Sequence, residues 1–210
     1  MISIDGDASL SVLKTGDLVL FTGQGLGRGL ARWFNRSPWT HVGLVLREPD
    51  AAAPLLWEAA CGGPRRGTLA APLSVRMARS RGRISVRCLN RPLAATQCQR
   101  LEALRQEVAE RADARGLFDL IGAADDGWVG ARRDNLGDPM DGELVAEAYQ
   151  RIGLLHDVAR GGKAPSDYRP WHFCANYGLE LNSGYALGPE LVLRAADRAV
   201  GWSGISPQPA

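Results

Sequence analysis

Three short apolar runs set the terms for any fold this chain adopts: DLVLF at 17–21, HVGLVL at 41–46 and LLWEA at 55–59. Each has strand length and is bounded by glycine, proline or polar residues, and none approaches the roughly 20 apolar residues a bilayer-spanning helix needs. Strands that follow one another through short connections pair with their neighbours, antiparallel. Helical periodicity lies mainly later in the chain. Thr96 to Ala112 places Leu101, Leu104 and Val108 on one stripe, and GELVAEAYQRIG, from Gly142 to Ile152, places Leu144, Val145, Ala148, Tyr149 and Ile152 on one face with Gly153 as its stop. A short helix is predicted in GLGRGLARWFN at 25–35. Further strands are predicted at Ile84 to Cys88 and in LGPELVLRAA, and the 116–138 stretch reads as a short helix and loop. The order strand, helix, strands, helix, helix, strand lacks the alternation of a doubly wound sheet. It predicts an α+β fold with an antiparallel sheet packed against helices.

Composition narrows the function classes. With 210 residues, 45% hydrophobic and 23% charged, residues 1–210 are expected to form a single domain. A net charge of +2 does not argue for nucleic acid. MISIDGDASL has no basic stretch followed by an apolar one, so no signal peptide is expected and the chain reads as cytoplasmic, without a transmembrane segment.

Cys61, Cys88, Cys98 and Cys174 lack CxxC spacing, and His41, His156 and His172 form no paired ligand pattern, so neither a metal nor another cofactor is expected. GQGLGRG precedes a helix without the Lys-Ser/Thr of a phosphate loop. Arg76, Arg79, Arg81, Arg83 and Arg87 allow a basic patch for an anionic head group, phosphate or nucleic acid. The absence of aromatic residues from the run favours a solvated strand edge instead. Trp33, Phe34 and Trp39 read either as cleft-lining or as core aromatics.

Two carboxylates stand out. Glu58 is flanked by two leucines, a tryptophan and two alanines, where an unpaired carboxylate is costly to bury, so it must meet a partner; His41 is the candidate. Asp141 precedes the periodic run that begins at Gly142 and reads as an N-cap, a role worth about 1 kcal/mol.

LKTGDLVLF, RSPWTHVGLVL, LLWEA and GELVAEAYQRIGLL, in that order, resemble the permuted papain-like branch of the NlpC/P60 superfamily, the YiiX/YebB-like cysteine hydrolases. The resemblance covers about residues 13–193, the expected core of the domain, and implies a permuted papain-like fold, cleavage of amide, peptide or acyl bonds, and a peptide, amide or acyl-lipid ligand. His41 matches the family histidine and Glu58 the family glutamate. At the helix that carries the nucleophile, Glu143, Leu144 and Val145 match, but Asp141 and Gly142 occupy the cysteine and serine positions.

A cysteine there would become a thiolate through the helix dipole and a neighbouring imidazolium. The same field lowers a carboxylate's pKa and makes it a poor nucleophile and a poor base. The expected catalytic set is therefore His41, Glu58 and Asp141, in a degenerate hydrolase that keeps a binding cleft. The alternative is a working amidase, peptidase or lipid acyl hydrolase with another nucleophile, for which Cys174 and Cys61 are the candidates.

Overall fold

Leu18–Phe21 (β1) is apolar and buried at every position, so both of its faces must be covered, and the sheet extends from it on both sides. The structure is a computed structural model that describes residues 10–22, 37–48, 53–60, 67–122 and 139–193. On one side of β1 lie β2 (His41–Leu46), β3 (Leu55–Ala60) and β4 (Gly67–Pro72); on the other lie β5 (Ile84–Arg87) and β6 (Leu191–Leu193). Every neighbouring pair is antiparallel, in the order β4-β3-β2-β1-β5-β6. Three α-helices accompany the sheet: α1 (Leu73–Arg79), α2 (Ala95–Gly122) and α3 (Pro139–Arg151). Short 3-10 turns fill 158–177. The α+β class and the antiparallel sheet match expectation.

Strand alternation divides the core in two. Leu18, Leu20, Val42, Leu44 and Trp57 face Leu101 and Leu104 of α2 and Leu144, Val145, Ala148 and Tyr149 of α3. Val19, Phe21, Val45, Leu56, Ile84 and Val86 face Leu73 and Met77 of α1, together with Leu10 and Leu13. Gly43 is small for a stated reason: a Cβ there would lie 2.8 Å from Leu56 Cδ1. Tyr149, fully buried, donates through its hydroxyl to Gly16 O at 2.8 Å and thereby ties α3 to the turn before β1.

Several boundaries differ from the sequence reading. The stretch read as helix to Ala112, then short helix and loop, is continuous helix to Gly122, because one glycine amid helix formers costs only about 1 kcal/mol. The last long helix begins at Pro139 rather than Gly142, since proline's fixed φ and missing N–H suit a first helical turn. Asp141 is therefore the third helical residue, inside the first turn rather than capping it. Gly153, with φ of 78°, ends the helix as predicted. β4 and α1 were not anticipated. The helix expected at 25–35, with Trp33 and Phe34, lies outside the described residues, as does Cys61.

The arginine run is not a strand edge. β5 is interior, paired with both β1 and β6. Arg87 is only 6% exposed and donates from Nε to Gly188 O (2.8 Å), from Nη1 to Phe173 O (2.8 Å) and from Nη2 to Leu187 O (3.0 Å). Burial lowers its pKa, opposed chiefly by the charge of Glu190.

Candidate functional site

β2 opens on a bulge. Phe21 is the ladder partner of His41, yet Thr40 N–H also donates to Phe21 O at 2.9 Å, so two residues oppose one. The extra residue accounts for Trp39 and Val42, three apart, both entering the α3-side core. Trp39 is 3% exposed, so it is a core residue and not the wall of an open cleft. Register puts His41 in the row of Phe21, the row that packs towards α1, and His41 itself is half-buried.

Glu58 belongs to the same row. Leu56, its neighbour two along β3, packs with Leu73 and Met77 of α1. Its side chain is 12% exposed, and its carboxylate Oε1 accepts from Arg76 Nε at 2.6 Å. Arg76 also lays its guanidinium 4.5 Å above the Phe21 ring. The burial argument for a Glu58 partner therefore leads to Arg76 on α1, a residue that the sequence groups with the arginine run and not with Glu58. His41, Glu58, Phe21 and Arg76 share one face near one end of the sheet.

α3, which carries Asp141, packs on the other face, with Leu144, Val145, Ala148 and Tyr149 against Val42, Leu44 and Trp57. Its first turn is pressed onto the 168–169 backbone: a Cβ on Gly142 would lie 2.6 Å from Arg169 Cα and 2.7 Å from Tyr168 O. The glycine at 142 is thus required by packing. Register does not bring Asp141's helix to the row that holds His41 and Glu58.

The backbone under α3 is held by His172. Its Nδ1 accepts from Arg169 N at 2.9 Å, which leaves the neutral ring's proton on Nε2. The ring stacks 4.5 Å from Tyr177 and meets Tyr168 edge-on at 5.8 Å. Burial, then the charges of Lys163 and Arg169, lower its pKa.

Three thiols are described, and none is presented as a nucleophile. Cys88 has its pKa pushed up to about 11, first by burial and then by the adjoining Asp17 carboxylate. Burial also raises Cys98. Cys174 is 4% exposed and lies within the α3-side core. It caps the 3-10 turn Ala175–Tyr177 without a side-chain hydrogen bond to it. Among the described residues, no three His, Cys, Asp or Glu side chains gather as a metal-binding group, and no helix is long and apolar enough to cross a membrane.

The class these features define is an α+β protein with a six-stranded antiparallel sheet and a polar row of His41, Glu58 and Arg76 at one end. No family model matches the chain, and no curated protein matches it. Among solved structures it is similar to the metalloprotein YiiX from Escherichia coli O157:H7, described as DUF1105, with 20% identity and a TM-score of 0.38. The match covers 46% of this chain and 50% of that one, so the chain spans about half the length of that structure.

Proposed function

We infer that this chain is a relative of the YiiX/YebB-like papain-like hydrolases that lacks thiol catalysis, in which the His41 and Glu58 row serves binding rather than cleavage. The observation that carries the reading is the state of the thiols: Asp141 stands at the motif's cysteine position, Cys88 is pushed up to about 11, Cys98 is raised and Cys174 is sealed in the core. Amide or ester cleavage by cysteine requires an exposed, low-pKa thiolate. Glu58 adds to this reading, because its carboxylate is already engaged by Arg76. A permuted papain-like topology, a single domain over 1–210, and a peptide, amide or acyl ligand belong to the same proposal. They rest on the four ordered motifs.

The competing reading, a working hydrolase, keeps Cys61 as its nucleophile, since that residue follows β3 and Glu58 closely. An electrophilic amide or ester probe, with the modified residue mapped by mass spectrometry, separates the two. The expected result is slow labelling at no favoured site. Fast labelling of one cysteine that is lost in His41→Ala establishes the hydrolase. As a second arm, Asp141→Cys tests whether α3 addresses His41: the new thiol is expected to titrate as an ordinary cysteine, and a depressed pKa that depends on His41 would overturn the placement of the two on separate faces.

A further inference from the structure

Between Glu58 and Glu102 the chain contains nine arginines and not one lysine, aspartate or glutamate. Such segregation in a chain of net charge +2 leaves the remainder net acidic, so the positive charge is concentrated in one span. The structure sorts these arginines. Arg87 is consumed by three carbonyls and Arg76 by Glu58, while Arg91 donates to Ser183 O and lies over Tyr185. Arg83 lays its guanidinium 5.7 Å from the Trp39 ring, on the α3 side of the sheet, while Arg79 and Arg81, at the end of α1 and in the turn before β5, are exposed.

The same helix presents apolar surface. Val75 is 41% exposed and stands four residues before Arg79, hence on the same helical stripe. Leu69, 50% exposed, lies on the edge strand β4 opposite Glu58, in the row facing α1. Large aliphatic side chains in water beside the exposed guanidinia of Arg79 and Arg81 suit an interface that is apolar below and anionic at the surface. Arginine matches phosphate geometry through its planar fork. The clustered positive charge is complementary to an anionic leaflet, and the absence of any membrane-crossing helix among the described residues limits attachment through them to the surface. Nucleic acid, the other polyanion, uses arginine equally but gains nothing from Val75 and Leu69, and the run offers no aromatic ring for base stacking.

We propose that the face formed by α1 and the turn to β5 docks on an anionic lipid surface, with Arg79 and Arg81 against the head groups and Val75 and Leu69 entering the interfacial layer. The proposal does not depend on the catalytic state of the chain. It does place the row of Glu58 and His41 beside the docking face, because Leu69 is the cross-strand neighbour of Glu58.

The test is co-sedimentation of the full chain with phosphatidylcholine vesicles, with and without about 30 mol % phosphatidylserine, at about 50 mM and about 500 mM salt. Binding is expected only to the anionic vesicles and only at low salt. The exposed double variant Arg79→Glu/Arg81→Glu is expected to partition at least about tenfold less, and Val75→Ser to weaken it measurably. Arg100→Glu, on α2 at the opposite face, is the control for net charge and should bind to within about twofold of the parent. Failure to bind anionic vesicles, equal binding to neutral ones, or equal loss in the Arg100 control overturns the proposal. So does retention by a mixed-sequence oligonucleotide through Arg79 and Arg81 without vesicle binding, which assigns the face to nucleic acid.

Discussion

Arg76 donates from Nε to the Glu58 carboxylate at 2.6 Å while its guanidinium rests on Phe21, the ladder partner of His41. One side chain from a seven-residue helix thus joins two strands, β3 and β1, at the end of the sheet where the candidate site lies.

Removing one member of this pair leaves the other without its charge partner. Arg76→Ala strands a carboxylate that is 12% exposed, and the expected loss is about 1–3 kcal/mol in urea denaturation. The double variant Glu58→Gln/Arg76→Met should lose clearly less than the sum of the single changes, since it removes the charge along with the partner. Additive losses would show that the pair is not coupled.

Gly142 leaves no room for a side chain where α3 meets residues 168–169. Gly142→Ser adds a Cβ 2.6 Å from the Arg169 backbone, where no flexible side chain is available to yield, and the expected cost is about 1–3 kcal/mol. Asp141→Cys adds no such clash at residue 142, so the two single variants should differ in thermal midpoint, with Gly142→Ser the lower. Equal midpoints would mean that α3 is not pressed onto residues 168–169.

His172 makes stability depend on pH. Burial holds its folded pKa below the ordinary histidine value, so the neutral ring is favoured by folding. The contribution is present above the unfolded pKa and is lost as pH falls through the folded one. Protonation at Nδ1 also destroys the acceptor that holds Arg169 N–H. Denaturation midpoints of the parent should fall between about pH 7.5 and 5, and His172→Gln should flatten that decline relative to the parent. Parallel profiles would count against the histidine.

Ser85 is fully buried, and among the described residues its hydroxyl has no hydrogen-bond partner. Replacing it with alanine removes an unsatisfied polar group for the loss of a single atom. The change is expected to be neutral or to stabilise by up to about 1 kcal/mol, read as an unchanged or raised thermal midpoint. A clear destabilisation would reveal a partner for that oxygen.

How far the sequence announced this molecule differs from element to element. LVLF, HVGLVL and LLWEA were legible as strands because apolar runs of that length have few other uses, and Gly153 marked its helix end through backbone conformation. GTLAAPLSVRMAR was not legible: alanines and a proline conceal an edge strand, and α1 is too short to display a helical stripe. Alternation at Ile84, Ser85, Val86 and Arg87 was read correctly as a strand, but the polar row was assigned to water. That row is instead roofed by the 170–188 segment, whose carbonyls receive Arg87. At the site, the burial of Glu58 was foreseeable from its neighbours. Its partner was not, because Arg76 is 18 residues away and reaches Glu58 only through the turn from β4 into α1. The bulge at Thr40 and His41 likewise depends on the register with β1, which a single strand does not encode.

The grip of Arg87 on Phe173, Leu187 and Gly188 has a consequence for how the molecule comes apart. These acceptors lie 86 to 101 residues away along the chain, and no hydrophobic contact could satisfy the cation if they withdrew. Peeling the late segment from the sheet would abandon a guanidinium in a dry interior, so partial detachment is disfavoured and the two regions open together. Amides of β5 and those around residue 188 should therefore exchange with solvent through one shared opening, although only the first belong to the central sheet.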